Sequence, residues 1–271
     1  MSVIKEAANL NTRMREVVPL VHNITNYVTV NDCANALLAI GASPIMADDI
    51  REASDITAIS SALVINIGTL NQRTVESMLR SGKTANELGI PVVFDPVGAG
   101  ASAFRNEATR QILEEVKISI LRGNLSEVSF VAGLNAAAKG VDVSEADSAN
   151  DPVDAAKMAA KKLSCVVGVT GAVDIVTDGE RVAKISNGHP MMSKITGTGC
   201  MTSAITAGYA GMKEDMWVAA TAGILSMGLA GEIAWEKAGH LGTGSLRTGI
   251  IDGLSSLNET KIEEMAKIEE M

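Results

Sequence analysis

Aromatic residues are scarce in this 271-residue chain, which holds three Phe, two Tyr and two Trp. No run of Lys and Arg interleaves with them, the formal net charge is -9, and the pI is about 4.9. A nucleic-acid partner needs a basic footprint to neutralise phosphates, so that class is excluded. Cysteine is limited to Cys33, Cys165 and Cys200, far apart and without a CxxC pair, which argues against a disulfide framework or a zinc knuckle. His22, His189 and His240 are equally scattered, and no HExxH motif occurs. The N-terminal stretch MSVIKEAANLNTRMREVV carries charges at helical intervals and lacks the apolar core of a signal peptide. The most apolar helical stretch, residues 217–231, runs 15 residues without a charge. A bilayer span needs roughly 20, so this segment is expected to be a buried helix, with no membrane partner and a cytoplasmic location.

What the chain has is a repeating alternation. Runs rich in Val and Ile recur at SPIMAD (43–48), ALVINIG (62–68), IPVVFDPVG (90–98), ISILRGN (118–124) and CVVGVTG (165–171). Longer segments with helical spacing separate most of them. Continuous apolar strands separated by helices predict an α/β fold, a mostly parallel sheet covered on both faces. DIVTDGERVAKIS (174–186) predicts a hairpin turning at Asp178-Gly179. After Met201 the chain reads as helical to its end, and ETKIEEMAKIEEM (259–271) as a solvated terminal helix. Nothing resembles a linker. The polar stretch KGVDVSEADSANDPVD (139–154) reads as a surface excursion within one domain covering residues 1–271.

In open α/β sheets ligands bind where strands end at their carboxyl edge. Here one strand ends in Asp95 and a Gly98-Ala99-Gly100 loop. Another ends in Arg122-Gly123-Asn124, with Glu127 one helical turn on, and a third in Thr170-Gly171. Singly, each is a common turn or strand end. To them ITGTGCMTSAITAGYAGM (195–212) adds a glycine-rich helix start, whose free N–H groups suit an anion. Two carboxylates, a guanidinium, a hydroxyl and a helix start on one sheet edge suit a nucleoside triphosphate with its magnesium. No GxxxxGK[ST] loop occurs, so a Walker-type ATPase is excluded.

Asp95, the RGN run with Glu127, Thr170-Gly171 and the late GTGC resemble the ribokinase-like kinases, and more closely the hydroxyethylthiazole kinases. VPLVHNITNYVTVNDCANALLAIGASPIMAD (18–48) narrows the match to the latter. GTGC alone is unspecific; combined with HNITNYV, MAD, DPVGAGA and RGNxxE, in order and over nearly the whole chain, it is specific. The resemblance implies a single-domain ribokinase-like fold and transfer of the ATP γ-phosphoryl to the primary alcohol of 4-methyl-5-(2-hydroxyethyl)thiazole, a salvage step towards thiamine. It further implies that Arg122 and Thr170 contact the ATP phosphates, that Asp95 and Glu127 organise Mg2+, and that Met46 and Gly197, joined by Asn26, line the thiazole pocket. A homotrimer with the substrate site between subunits is implied as well.

Cys200 stands where many ribokinase-like enzymes carry the aspartate that takes the alcohol proton, a departure shared with the thiazole kinases. An unperturbed thiol, with a pKa of about 8.5, is only a few per cent ionised at neutral pH. A helix N-terminus would lower that value and a polyphosphate would raise it. In a loose transition state the proton leaves late, so a weak base suffices. Cys33 and Cys165 sit in apolar patterns and read as inert core. Three alternatives have the same fold: hydroxymethylpyrimidine or pyridoxal kinases, a nucleotide-dependent dehydratase, and a non-catalytic thiazole or nucleotide sensor.

Overall fold

The Val- and Ile-rich runs become strands because they are buried on both faces and end in turn residues. The computed structural model describes residues 2–134 and 151–271. Its strands are β1 (Leu20–Ile24), β2 (Ser43–Ile45), β3 (Ala62–Asn66), β4 (Val92–Asp95) and β5 (Ile120–Asn124). They continue with β6 (Val166–Thr170), β7 (Asp174–Thr177), β8 (Val182–Ile185) and β9 (Ile268–Glu270). Among the described residues they form one sheet in the order β2-β1-β3-β4-β5-β6-β7-β8-β9. Pairing is parallel from β2 through β6 and antiparallel beyond it. The expected α/β, mostly parallel sheet is therefore present, and the hairpin turns where Asp178 was expected to turn it. There Asp178 Oδ1 accepts the Glu180 and Arg181 N–H groups, and Gly179 takes φ +101.

Successive strand residues project to opposite faces, and two cores result. Val64, Val93, Ile120 and Val166 enter one core. It also holds residues of α1 (Val3–Val17), α2 (Val30–Ile40), α8 (Thr198–Ala210), α9 (Met216–Ala238) and α10 (Thr243–Ser255). Leu63, Val92, Leu121 and Val167 enter the other. They pack with residues of α4 (Gln72–Glu87), α5 (Ala103–Glu115), α6 (Leu125–Ala132) and α7 (Pro152–Leu163). The short helices α3 (Ala53–Ala58) and α11 (Glu259–Met265) complete the set named here. Each fully buried Leu, Ile or Phe on these faces contributes about 1.5–3 kcal/mol relative to exposure. Helix α9 contains the apolar 217–231 stretch; its most apolar window is 89% buried, as expected of a core helix. Gly223 makes this packing possible, since a Cβ there would lie 2.6 Å from the Thr206 backbone in α8.

Two expectations need correction. The first strand, β1, lay hidden in VPLVHNITN because its inward positions include polar His22 and Asn23, both buried. His22 is accommodated by Thr57 Oγ1 at 2.9 Å and the Ala47 carbonyl at 2.7 Å, while burial lowers its pKa. The tail is not one helix: α11 stops at Met265 and Ile268–Glu270 pairs antiparallel with β8. The switch is enforced by Asn187, which donates to the Met265 carbonyl at 2.9 Å and accepts the Lys267 N–H at 2.7 Å. The 139–154 excursion lies outside the described residues except for its last four. There Asp151 accepts the Val153 N–H at 2.8 Å and caps α7.

Candidate active site

At the carboxyl edge of the parallel strands the sheet opens into two adjoining cavities, of about 600 and 340 Å3. Arg122, at the end of β5, lines both, as does Gly199 in the first turn of α8. Asp95, Glu127, Gly197, Cys200 and Asn26 border the smaller cavity; Thr170 borders the larger. Met46, expected beside them, lines neither and is half-buried beyond β2 against the first core.

Asp95 is fully buried at the tip of β4. Its Oδ2 accepts from Ser203 Oγ at 2.7 Å, Asn66 Nδ2 at 3.0 Å and Arg122 Nη1 at 3.3 Å. Among the described residues its Oδ1 is buried with no partner, and so is Arg122 Nε. Leaving a buried carboxylate oxygen unpartnered is expensive. Arg122 donates its other terminal nitrogen to Thr170 Oγ1. Space for the guanidinium is secured at Gly199, where a Cβ would stand 2.7 Å from Nη1.

Glu127 completes a capping box at the start of α6, its Oε2 accepting the Asn124 N–H and its Oε1 the Gly98 N–H, both at 2.8 Å. It thereby joins the loop after β4 to the end of β5. Burial raises its pKa, against the lowering effect of those two bonds. Among the described residues no three His, Cys, Asp or Glu side chains converge on a metal position.

Helix α8 begins after Gly197, whose φ of +92 and 2.6 Å clearance from Thr29 Cγ2 admit no side chain. Cys200, in its first turn, accepts from Asn26 Nδ2 at 3.0 Å and Asn66 Nδ2 at 3.3 Å. Burial, then the Asp95 charge, pushes its thiol pKa up, so the lowering expected from the helix start does not win. Cys33 and Cys165 are buried and pushed up to about 12 by desolvation, as inert core thiols should be.

The hydroxyethylthiazole kinase family model matches residues 11–260 of this chain. The chain belongs to the hydroxyethylthiazole kinase family. It is 62% identical over 268 residues to the hydroxyethylthiazole kinase of Ruminiclostridium cellulolyticum, covering 98% of each chain. The solved structure of a hydroxyethylthiazole kinase protein from Pyrococcus horikoshii matches with a TM-score of 0.88 at 38% identity, covering 98% of this chain and 99% of that one. Staphylococcus aureus pyridoxal kinase shares the ribokinase-like fold alone, with a TM-score of 0.61 at 14% identity over 93% and 97% of the two chains.

Within this member of the hydroxyethylthiazole kinase family, sequence reasoning missed Asn66, Ser203, Asp174 and Asn187. Asn66 had one usable signal, a polar residue inside the ALVINIG run at a strand's carboxyl end. Ser203 lies one turn beyond the GTGC segment, where nothing in the sequence points to Asp95. Asp174 lines the larger cavity, accepts the Gly171 N–H at 2.8 Å, and is raised to about 6 by burial.

Proposed function

We propose that this site transfers the γ-phosphoryl of ATP to the primary alcohol of 4-methyl-5-(2-hydroxyethyl)thiazole. One observation carries the reading: Arg122 is shared by two adjoining cavities, the larger of a size for a nucleotide and the smaller for a compact heterocyclic alcohol. Arg122 and Thr170 hold the phosphates, helped by the N–H groups that open α8. The alcohol oxygen forms a bond to Pγ as the bond from Pγ to the bridging oxygen breaks, and ADP leaves. Gly197 and Asn26 shape the alcohol's pocket. The alcohol proton passes late to the minor thiolate form of Cys200, which a loose transition state tolerates.

The carboxylates suit Mg2+, since Asp95 Oδ1 is a buried acceptor with no partner and the ion accepts such oxygens while keeping waters. Asp95 would hold it directly and Glu127 through water, because both Glu127 oxygens already accept main-chain N–H groups. Bound there, the ion would neutralise charge on the phosphates.

The chain works as one domain and as a homotrimer, with Met46 serving the alcohol pocket of a neighbouring copy. Support comes from Met46 lying outside its own chain's cavities and from Val28, which lines the smaller one and is 55% exposed. ADP release upon mixing with ATP, magnesium and the thiazole alcohol tests the activity. Thiazole binding without turnover would overturn it in favour of a sensor, and preference for a hydroxymethylpyrimidine or pyridoxal would name a different kinase.

A further inference from the structure

One wall of the larger cavity is neither strand end nor helix start: it is the segment from Asn187 to Ser193, which follows β8 and includes a short 3-10 turn at Pro190–Lys194. This segment lies along one face of α9. Gly188 requires its φ of +128, Gly228 passes so close that a Cβ would sit 2.9 Å from the Asn187 backbone, and Gly231 makes room for Met192. His189 stacks on Trp235 with ring centroids 4.0 Å apart and an interplanar angle of 14°. In the middle of that face stands Glu232. Its Oε1 accepts the Gly188 N–H at 3.0 Å and Lys267 Nζ at 2.9 Å, and both its oxygens accept from Asn187 Nδ2 at 3.3 Å. The Glu232 side chain is only 18% exposed.

We infer that Glu232 is a positioning residue that fixes the 187–193 wall of the nucleotide cavity, and with it the affinity for the nucleotide. The inference rests on the reading that ATP occupies that cavity. Arg122, Thr170 and the α8 start take the phosphates there, leaving the 187–193 wall to ribose and base. Glu232 touches no substrate; it satisfies the Gly188 N–H and the Asn187 amide, and it binds the segment to Lys267, next to β9. Without it, the Gly188 N–H and Lys267 Nζ lose this acceptor, Asn187 Nδ2 keeps only the Met265 carbonyl, and the wall loses its fixed position, an effect of about tenfold in affinity. The alcohol pocket, bordered by the loops after β1, β3 and β4, the end of β5 and the starts of α6 and α8, does not share these contacts.

The test is calorimetric titration of ADP into the full-length protein, its Glu232→Ala and Glu232→Gln variants and Asn187→Asp, with thermal melts and steady-state kinetics alongside. Glu232→Ala should weaken ADP binding about tenfold and raise KM for ATP in step, leaving kcat and the alcohol KM within about twofold. Glu232→Gln, whose amide oxygen still accepts from Gly188, should recover most of the affinity. Asn187→Asp keeps the shape but sets two carboxylates together and removes the donor to the Met265 carbonyl, and should weaken ADP binding even if Glu232→Ala fails to fold. ADP affinity within twofold of the parent in folded Glu232→Ala, or in Asn187→Asp where Glu232→Ala does not fold, would overturn the inference, as would an alcohol KM rising as much as the ADP Kd. A parent protein that binds no ADP overturns the nucleotide reading itself, whereas ADP binding without thiazole turnover overturns only the proposed acceptor.

Discussion

At the residue scale, the proposed chemistry turns on a guanidinium and a thiol in unusual company. Arg122→Ala removes the group that spans both cavities. Losing a key electrostatic donor of this kind lowers kcat/KM by about 10²–10³; near-parent kinetics with a normal melting temperature would show Arg122 to be structural. For Cys200 the direction of its pKa sets the sign. Burial, then the Asp95 charge, holds the Cys200 thiol above its ordinary value, so the thiolate fraction, and with it kcat, should still be climbing as pH rises from 7 to 9. Cys200→Asp supplies a group ionised throughout that window, with an unperturbed pKa near 3.9, and should lose the climb. Its charge would meet Asp95, but the Asn26 and Asn66 amides already aimed at position 200 would receive it. We therefore expect Cys200→Asp to be active and to exceed Cys200→Ser, which should lose about 10²-fold in kcat. An Asp variant that is folded yet slower than the Ser variant would leave Cys200 a packing residue.

At the scale of elements, the start of α8 is held by space rather than by side-chain capping. Gly199→Ala drives a methyl to within 2.7 Å of Arg122 Nη1 while leaving the helix itself intact. The expected result is a melting temperature close to the parent's with ADP affinity and kcat reduced as in Arg122→Ala; unchanged kinetics would show that the guanidinium relaxes freely. Elements were legible wherever apolar runs met turn residues, which is why β2 through β8 stood out. β1 did not, because buried His22 and Asn23 interrupt its apolar pattern; His22 is held by Thr57 of α3 and the Ala47 carbonyl, and Asn23 Nδ2 by the Val21 carbonyl. β9 did not, because an edge strand of Ile268, Glu269 and Glu270 reads as a helical surface. The cavity-lining strand ends were legible as polar residues after apolar runs. Ser203 and Glu232 were not, since each acts through a partner more than 40 residues away in sequence, at Asp95 and Asn187.

At the scale of the whole molecule, a pocket completed by a neighbouring copy should function only in the assembly. Specific activity should therefore fall on dilution below the association constant, and sedimentation should show the loss tracking dissociation. A fully active monomer would refute it. Met46→Ala is a companion test, because mixing it with a chain defective at Arg122 should restore part of the activity in mixed trimers.

The position of Arg122 has a consequence for how the two substrates sense one another. Its Nη1 bonds Asp95 at 3.3 Å beside the smaller cavity, and its Nη2 bonds Thr170 beside the larger. Phosphates arriving on one side draw on the same cation that offsets the buried aspartate on the other, so the two binding events close a thermodynamic cycle. Whatever factor the alcohol imposes on ADP affinity, ADP must impose on the alcohol, and the two factors are equal by necessity. In Arg122→Ala that shared factor should collapse towards one, making the enzyme's substrates strangers to each other.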